Sequence, residues 1–246
     1  MPKKSRAKAN SPKRSLLPII IGLVVIVIIG ISAGLFLLDQ HTTTTTTSQP
    51  ISGKPVILYV NQGNGLVDES NFSSLVTFAK TNGFNTIFFQ VYRSGNLLFT
   101  KSELMYLVSD AHVKNMSIFF ALYFTDPSQQ IPSSIFGLGE NGISLDMSTL
   151  PASTQAGLLQ TLEQNYHEGK TAVTTTDFGT TLNPDLLVFE TYLQSDQSYI
   201  RPGIIAGVEP LAIATKQQYQ QQFQYALTHS DGVMVFDYYG LLKTGY

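Results

Sequence analysis

The sequence contains no cysteine and no tryptophan, and it has only four histidines among 246 residues. Without cysteine there is no disulfide scaffold, thiolate zinc site, iron–sulfur cluster or cysteine nucleophile. The histidines form neither an H-x-H nor an H-E-x-x-H pattern, which argues against a zinc centre. The chain also lacks a phosphate-binding P-loop and a G-x-S-x-G nucleophile elbow. We therefore predict no metal and no cofactor.

Positive charge is scarce beyond the first 14 residues. That short segment holds six of the 15 Lys and Arg residues and no acidic residue. Residues 50–246 hold 9 Lys and Arg against 16 Asp and Glu, a net charge of 9 − 16 = −7. A nucleic-acid-binding protein needs a basic face that displaces counterions from phosphates. Nucleic acid is therefore excluded as a partner.

One long segment lacks charge altogether. Leu16–Leu38 is an apolar run of 23 residues, long enough as a helix to cross a hydrocarbon core of about 30 Å. A basic tail, residues 1–15, precedes it, and by the positive-inside rule that tail stays in the cytoplasm. The alternative is a cleaved signal peptide, but its apolar region usually spans only about 7–15 residues. We predict a single-pass cell-membrane anchor with an extracytoplasmic C-terminal domain.

Residues 39–53 form a threonine-rich linker, with six consecutive threonines at 42–47. Such a composition buries no apolar surface, so the segment is either a bare flexible tether or an O-glycosylated stalk. Residues 54–246 that follow are enough for one domain with a substantial core.

Short β-rich runs alternate with helical patterns through this domain, which is typical of a parallel sheet. The predicted strands are Val56–Asn61, Asn85–Tyr92, Ser117–Phe124, Gly142–Met147, Thr171–Asp177, Leu186–Tyr192, Gly203–Glu209 and Gly232–Tyr238. The predicted helices are Asp68–Asn82, Ser102–Asn115, Pro151–Glu168 and Thr215–His229. The fold class is therefore α/β: a compact (β/α)8 TIM-like barrel with one or more missing helices, preceded by the transmembrane helix. Its last strand is followed by at most a helical turn in Gly240–Tyr246.

The sixth strand, Leu186–Tyr192, is the ambiguous element. Its β-branched and aromatic residues favour a strand. Asn183-Pro184 instead resembles a helix start, and only eight residues would link this strand to the fifth, fewer than a parallel crossover normally uses. We prefer the strand, because a sheet of seven strands would leave an exposed edge.

Carboxylates and tyrosines stand where the predicted strands end, and active sites of such barrels lie at the carboxyl ends of the strands. We predict Glu209 and Asp146 as catalytic residues, since glycoside hydrolysis uses a pair of carboxyl groups. The predicted substrate-binding residues are Gln90, Tyr92, Arg93, Asp177, Glu190, Tyr192, Asp237 and Tyr238. The alternative is that strand ends are polar simply because they meet solvent.

Two segments carry a family resemblance. Asn85–Phe99 (NTIFFQVYRSGNLLF) resembles the second strand of glycoside hydrolase-like TIM-barrel proteins, and Asp231–Leu242 (DGVMVFDYYGLL) is similar to their last strand. The resemblance implies an acid/base after strand four and a nucleophile after strand seven, both usually Glu. Glu209 matches the nucleophile position, and Asp146 stands nearest the acid position with a side chain one methylene shorter.

These observations together predict a membrane-anchored, extracytoplasmic glycoside hydrolase-like protein that cleaves or binds polysaccharide, with carbohydrate as its partner. Two alternatives stay open. One is a non-catalytic barrel that recognises a glycan or an envelope protein, and the other is a stalked structural protein of the cell surface.

Overall fold

Eight short runs of buried apolar residues form the strands of a closed parallel barrel. The computed structural model describes residues 53–246. The strands are β1 Val56–Val60, β2 Thr86–Arg93, β3 Asn96–Leu97, β4 Ser117–Tyr123, β5 Gly142–Asp146, β6 Lys170–Thr175, β7 Leu186–Phe189, β8 Ile205–Val208 and β9 Gly232–Phe236. The two-residue β3 pairs antiparallel with the end of β2, and the other eight strands are parallel. Because β1 pairs with both β2 and β9, the sheet closes, which confirms the predicted TIM-like barrel.

Helices cover the outside of the barrel, and three of the five begin at a residue whose side chain caps the free N–H groups. The helices are α1 Phe72–Thr81, α2 Lys101–Val113, α3 Ala152–Asn165, α4 Lys216–His229 and α5 Tyr238–Thr244. Thr100 and Glu103 form a reciprocal capping box at the start of α2, and the Thr215 hydroxyl caps α4. Asp237 caps α5, so the chain after the last strand forms two helical turns, more than the sequence pattern predicts.

Three crossovers within residues 53–246 contain no α-helix: β4 to β5, β6 to β7 and β7 to β8. They run as loops, two of which contain short 3-10 helices at Ser133–Ile135 and Gln194–Tyr199. The ambiguous segment is a strand, since Leu186–Phe189 pairs with both β6 and β8. The alternative helix there is therefore wrong.

Alternation along the strands divides the buried residues into two cores. The larger core lies between the strands and the surrounding helices. The smaller one, which we call the inner core, lies inside the barrel and comprises Ile57, Tyr59, Phe88, Phe119, Ala121, Ala172, Val188, Ile205 and Met234. Strand side chains two positions further along, toward the carboxyl ends, continue from the inner core to the mouth of the barrel.

The predicted cytoplasmic tail, transmembrane helix 16–38 and nearly all of the linker lie outside the described residues. Among residues 53–246, no helix has the length and hydrophobicity that a membrane span requires. The predicted anchor and localisation therefore stay predictions.

Candidate active site

Four carboxylates stand at the carboxyl-terminal mouth of the barrel, one from each of four strands. Asp146 ends β5, Glu190 and Glu209 follow β7 and β8, and Asp237 follows β9. Glu190 stands two residues beyond Val188 of the inner core, so strand alternation turns it toward the interior. Since parallel strands end at one edge, residues far apart in the sequence come together here. We call these four side chains the carboxylate arc.

Their electrostatic interactions follow the order of the strands. The charges of Asp146 and Glu209 both act on Glu190, and the charge of Asp237 acts on Glu209. Glu190 thus lies between the two residues that the sequence predicts as catalytic. Glu190 therefore interacts electrostatically with both Asp146 and Glu209.

Asp146 and Glu190 differ in what surrounds their carboxyl groups. Burial, together with the charges of Asp146 and Glu209, raises the pKa of Glu190 to about 8. Burial also raises the pKa of Asp146, but hydrogen bonds from Tyr59 and Ser148 oppose this and hold it at about 6. Both pKa values are thus raised, and the hydrogen bonds to Asp146 favour its charged form, whereas the neighbouring charges favour the neutral form of Glu190. Two interacting carboxyl groups with raised pKa values and different hydrogen-bond partners form an arrangement suited to acid–base chemistry.

Tyr59 of β1 is the site residue that the sequence analysis missed. Its hydroxyl donates a hydrogen bond to Oδ2 of Asp146 at 3.1 Å, and the side chain is fully buried. Burial is the main cause that raises the pKa of the phenol well above its usual value, so the hydroxyl keeps its proton and remains a donor. Strand alternation could have pointed to Tyr59 in the sequence, because this residue lies two positions beyond Ile57, which faces the inside of the barrel.

Arg93 and Gln90 of β2 complete the opposite wall, as predicted for their positions. Arg93 Nη1 donates to Asn61 Oδ1 at 3.3 Å, and the guanidinium lies 5.6 Å from the centroid of the Tyr123 ring. Its positive charge is one of the influences that lower the pKa of Asp146. Gln90 Oε1 accepts a hydrogen bond from the Gln62 amide at 2.9 Å. Within the described part of the chain, Arg93 forms no direct ion pair with the arc.

Tyr192 reaches the arc from the loop after β7. Its ring stacks on Phe236 at a centroid distance of 5.4 Å, and its hydroxyl is buried with no hydrogen-bond partner in the protein. Burial, then the charge of Glu190, raises the pKa of the phenol well above its usual range. Gly207 of β8 makes room for the ring, because a Cβ there would lie 3.0 Å from Tyr192 Cε1 and 2.9 Å from the Phe189 carbonyl oxygen.

The prediction for Tyr92 is wrong, and a β-bulge is the reason. The register between β2 and β4 shifts between Gln90 and Tyr92. Val91 and Tyr92 consequently both face the larger core between the strands and the helices, where the Tyr92 ring lies 5.3 Å from that of Phe124. The bulge turns Arg93 toward the mouth in place of Tyr92.

Asp177 and Tyr238 also lie apart from the arc, so their predicted roles need correction. Asp177 occupies an exposed turn, where its carboxylate accepts the Gly179 N–H at 3.0 Å. Tyr238 belongs to α5 on the outside of the barrel, and its ring packs 5.1 Å from that of Phe78. Both errors arise because the strands end earlier than predicted, at residues 175 and 236.

In residues 53–246, no group of three or more His, Asp or Glu side chains is arranged to hold a metal ion. The fold and the arc define the described chain as a TIM-like barrel with an acidic mouth. No family model matches the chain, and no curated protein matches it either. Among solved structures it is similar to an HpcH/HpaI aldolase from Desulfitobacterium hafniense DCB-2, with 11% identity and a TM-score of 0.45 over 78% of this chain and 89% of that one.

These comparisons overturn the predicted family and function. The predicted membership of the glycoside hydrolase-like proteins is corrected: no family model matches the chain, and the solved structure named above is described as an aldolase. Polysaccharide cleavage and binding, predicted from the strand-end carboxylates and from that resemblance, are withdrawn with it. With a TM-score below 0.5, the likeness carries no argument for giving this chain the chemistry of an aldolase.

Proposed function

We propose that this barrel is an enzyme that moves protons on a small substrate held at its carboxyl-terminal mouth. The observation that carries the proposal is a pair of interacting carboxyl groups, Asp146 and Glu190, in unlike surroundings: Asp146 accepts hydrogen bonds from Tyr59 and Ser148, whereas burial and the charges of Asp146 and Glu209 raise the pKa of Glu190. Such a pair supplies a base and an acid at neutral pH. The proton transfers of an isomerase or a lyase are the reactions that this pair supports.

Each residue has a distinct part in this mechanism. The Asp146 carboxylate accepts a proton from the substrate, and the Tyr59 hydroxyl keeps that carboxylate oriented through its hydrogen bond. Glu190 gives its proton to a second substrate atom, so one proton is taken up and one is released. A proton then passes from Asp146 to Glu190, directly or through solvent, and restores the starting state.

Charge restricts the substrate class. With Glu190 protonated, Asp146, Glu209 and Asp237 remain as the acidic groups of the arc, whereas Arg93 is the cation whose charge reaches Asp146. An anionic substrate would be repelled by this set. We therefore propose an uncharged or cationic small molecule with an exchangeable proton next to a carbonyl or imine group.

Deuterium incorporation tests the proposal without knowledge of the physiological reaction. The full chain in D₂O is incubated with a panel of uncharged and cationic carbonyl compounds, and mass spectrometry measures the deuterium that each compound gains. We expect incorporation into at least one compound, and Glu190→Gln to slow it by roughly 10²–10⁴-fold. Asp177→Asn, which changes a carboxylate outside the arc, should match the wild type. No incorporation into any compound, or equal rates for Glu190→Gln and the wild type, would refute the proposal.

A further inference from the structure

A cavity of about 330 Å³ is lined in part by Tyr192, the tyrosine next to the carboxylate arc, and is not used by the mechanism above. It is bounded by the loops that follow β7 and β8 and by the first two turns of α4. Four glutamines line it: Gln197, Gln218, Gln221 and Gln222. Ala214 and Tyr192 are also among the lining residues. None of the side chains that line it is charged.

In two of these glutamines, one of the two polar atoms of the side-chain amide already forms a hydrogen bond within the protein. The Oε1 atom of Gln218 accepts a hydrogen bond from the Thr215 hydroxyl at 3.1 Å, which leaves its NH₂ group as a donor. The Nε2 atom of Gln222 donates to the Thr191 carbonyl oxygen at 2.9 Å, which leaves its Oε1 atom as an acceptor. Positions four apart lie on one face of a helix, so α4 presents a donor and an acceptor side by side.

This arrangement selects for an uncharged ligand group. A charged group in the cavity would find no side chain of opposite charge in the lining, so it would gain no ion pair there. A carboxamide has one acceptor and two donors, so it satisfies the Gln218 NH₂ and the Gln222 oxygen together. A carboxylate lacks the donor and an ammonium group lacks the acceptor.

Tyr192 connects the cavity with the arc. The same side chain lines the cavity and places its buried hydroxyl, which has no partner in the protein, beside Glu190. We propose that the cavity binds an uncharged carboxamide group of the substrate, while the reacting part of the molecule extends past Tyr192 to Asp146 and Glu190. This inference rests on the proposed function, because it names the substrate class for that site.

Saturation-transfer NMR on the full chain tests the inference with three probes of nearly equal size: propionamide, propionate and propylammonium. We expect saturation transfer to propionamide and none above background to the two charged probes. Ala214→Trp fills the cavity from an exposed position and should reduce the propionamide signal at least tenfold. The matched control is Ala156→Trp, which places the same side chain on the exposed face of α3 and should leave the signal unchanged.

A second variant guards against a folding defect in Ala214→Trp. Gln218→Leu removes the donor at an exposed position and should weaken propionamide binding at least threefold. Equal binding of propionate and propionamide, or full binding by both Ala214→Trp and Gln218→Leu, would overturn the inference.

Glu190→Gln separates this inference from the proposed function. That variant should lose deuterium transfer but keep propionamide binding. Propionamide binding without any deuterium transfer by the wild type would refute the proton-transfer proposal alone. Deuterium transfer without propionamide binding would refute the carboxamide proposal alone.

Discussion

The two halves of the barrel interior are built from opposite kinds of side chain. Toward the amino-terminal ends of the strands, Phe88 and Phe119 stack at 4.9 Å within the close-packed apolar inner core. Toward the carboxyl-terminal ends, the barrel carries acidic residues: Asp146 ends β5, and Glu190 follows β7. The apolar half stabilises the closed sheet through burial, whereas the polar half keeps ionisable groups away from water at a cost in stability. Stability and chemistry thus reside in different layers of one barrel.

The largest expected effect comes from breaking the apolar half. Phe88→Ala removes a fully buried ring and should lower the free energy of unfolding by about 3–5 kcal/mol. Urea denaturation followed by circular dichroism measures the loss. Val113→Ala, at a site that is 79% exposed, is the control and should change stability by less than about 0.5 kcal/mol. A loss below about 1 kcal/mol for Phe88→Ala would contradict the assignment of stability to this layer.

The polar half should make stability depend on pH. The pKa of Glu190 is raised on folding to about 8, so its contribution is fully present below pH 4.5 and is lost as the pH rises through 8. Glu190→Gln removes this loss. Between pH 5 and pH 9 the free energy of unfolding should therefore fall less in the variant than in the wild type, and the two falls should differ by on the order of 3 kcal/mol. Denaturation at the two pH values measures the difference. Asp177→Asn should follow the wild type, and a parallel decline in Glu190→Gln would count against a half-buried, protonated Glu190.

The boundary between the layers can be tested at Gly207. Gly207→Ala places a Cβ against the Tyr192 ring and the Phe189 carbonyl oxygen, and should cost about 2 kcal/mol through overpacking. The environment of Tyr192 should change as well, which near-ultraviolet circular dichroism detects. Gly157→Ala on α3, where the added Cβ meets nothing within 4 Å, should be neutral or stabilising. Equal stabilities of the two variants would show that Tyr192 does not need this space.

The smallest expected effect is that of one hydrogen bond. Tyr59→Phe removes the donor to Asp146 and keeps the ring, so stability at pH 7 should fall by about 1 kcal/mol. The pKa of Asp146 should rise above its value of about 6, because the lost bond favoured the ionised form. Carbon-13 NMR titration of the carboxyl groups measures this change. An unchanged or lower pKa would mean that Tyr59 does not stabilise the carboxylate.

Strand positions were predictable because buried parallel strands appear in the sequence as apolar runs. The ambiguous segment Leu186–Tyr192 was interpreted as a strand because seven strands would leave an exposed edge, and the structure has a strand at Leu186–Phe189. The four members of the arc were also found, since each follows directly on such a run. Tyr92 was misplaced because a β-bulge reverses the alternation after Gln90. Tyr59 was missed because a tyrosine inside an apolar run looks like a core residue until its partner on a distant strand is known.

The sequence by itself determined that apolar strands alternate with helices and that acidic residues follow four of the strands, since these are local patterns. Only the tertiary structure decided which carboxylates become neighbours, because closure of the barrel brings β1 beside β9 and sets Tyr59 against Asp146. The tertiary structure also decided how readily Glu190 binds a proton. The pKa of Glu190 depends on burial and on the charges of Asp146 and Glu209, which lie 44 and 19 positions away in the chain.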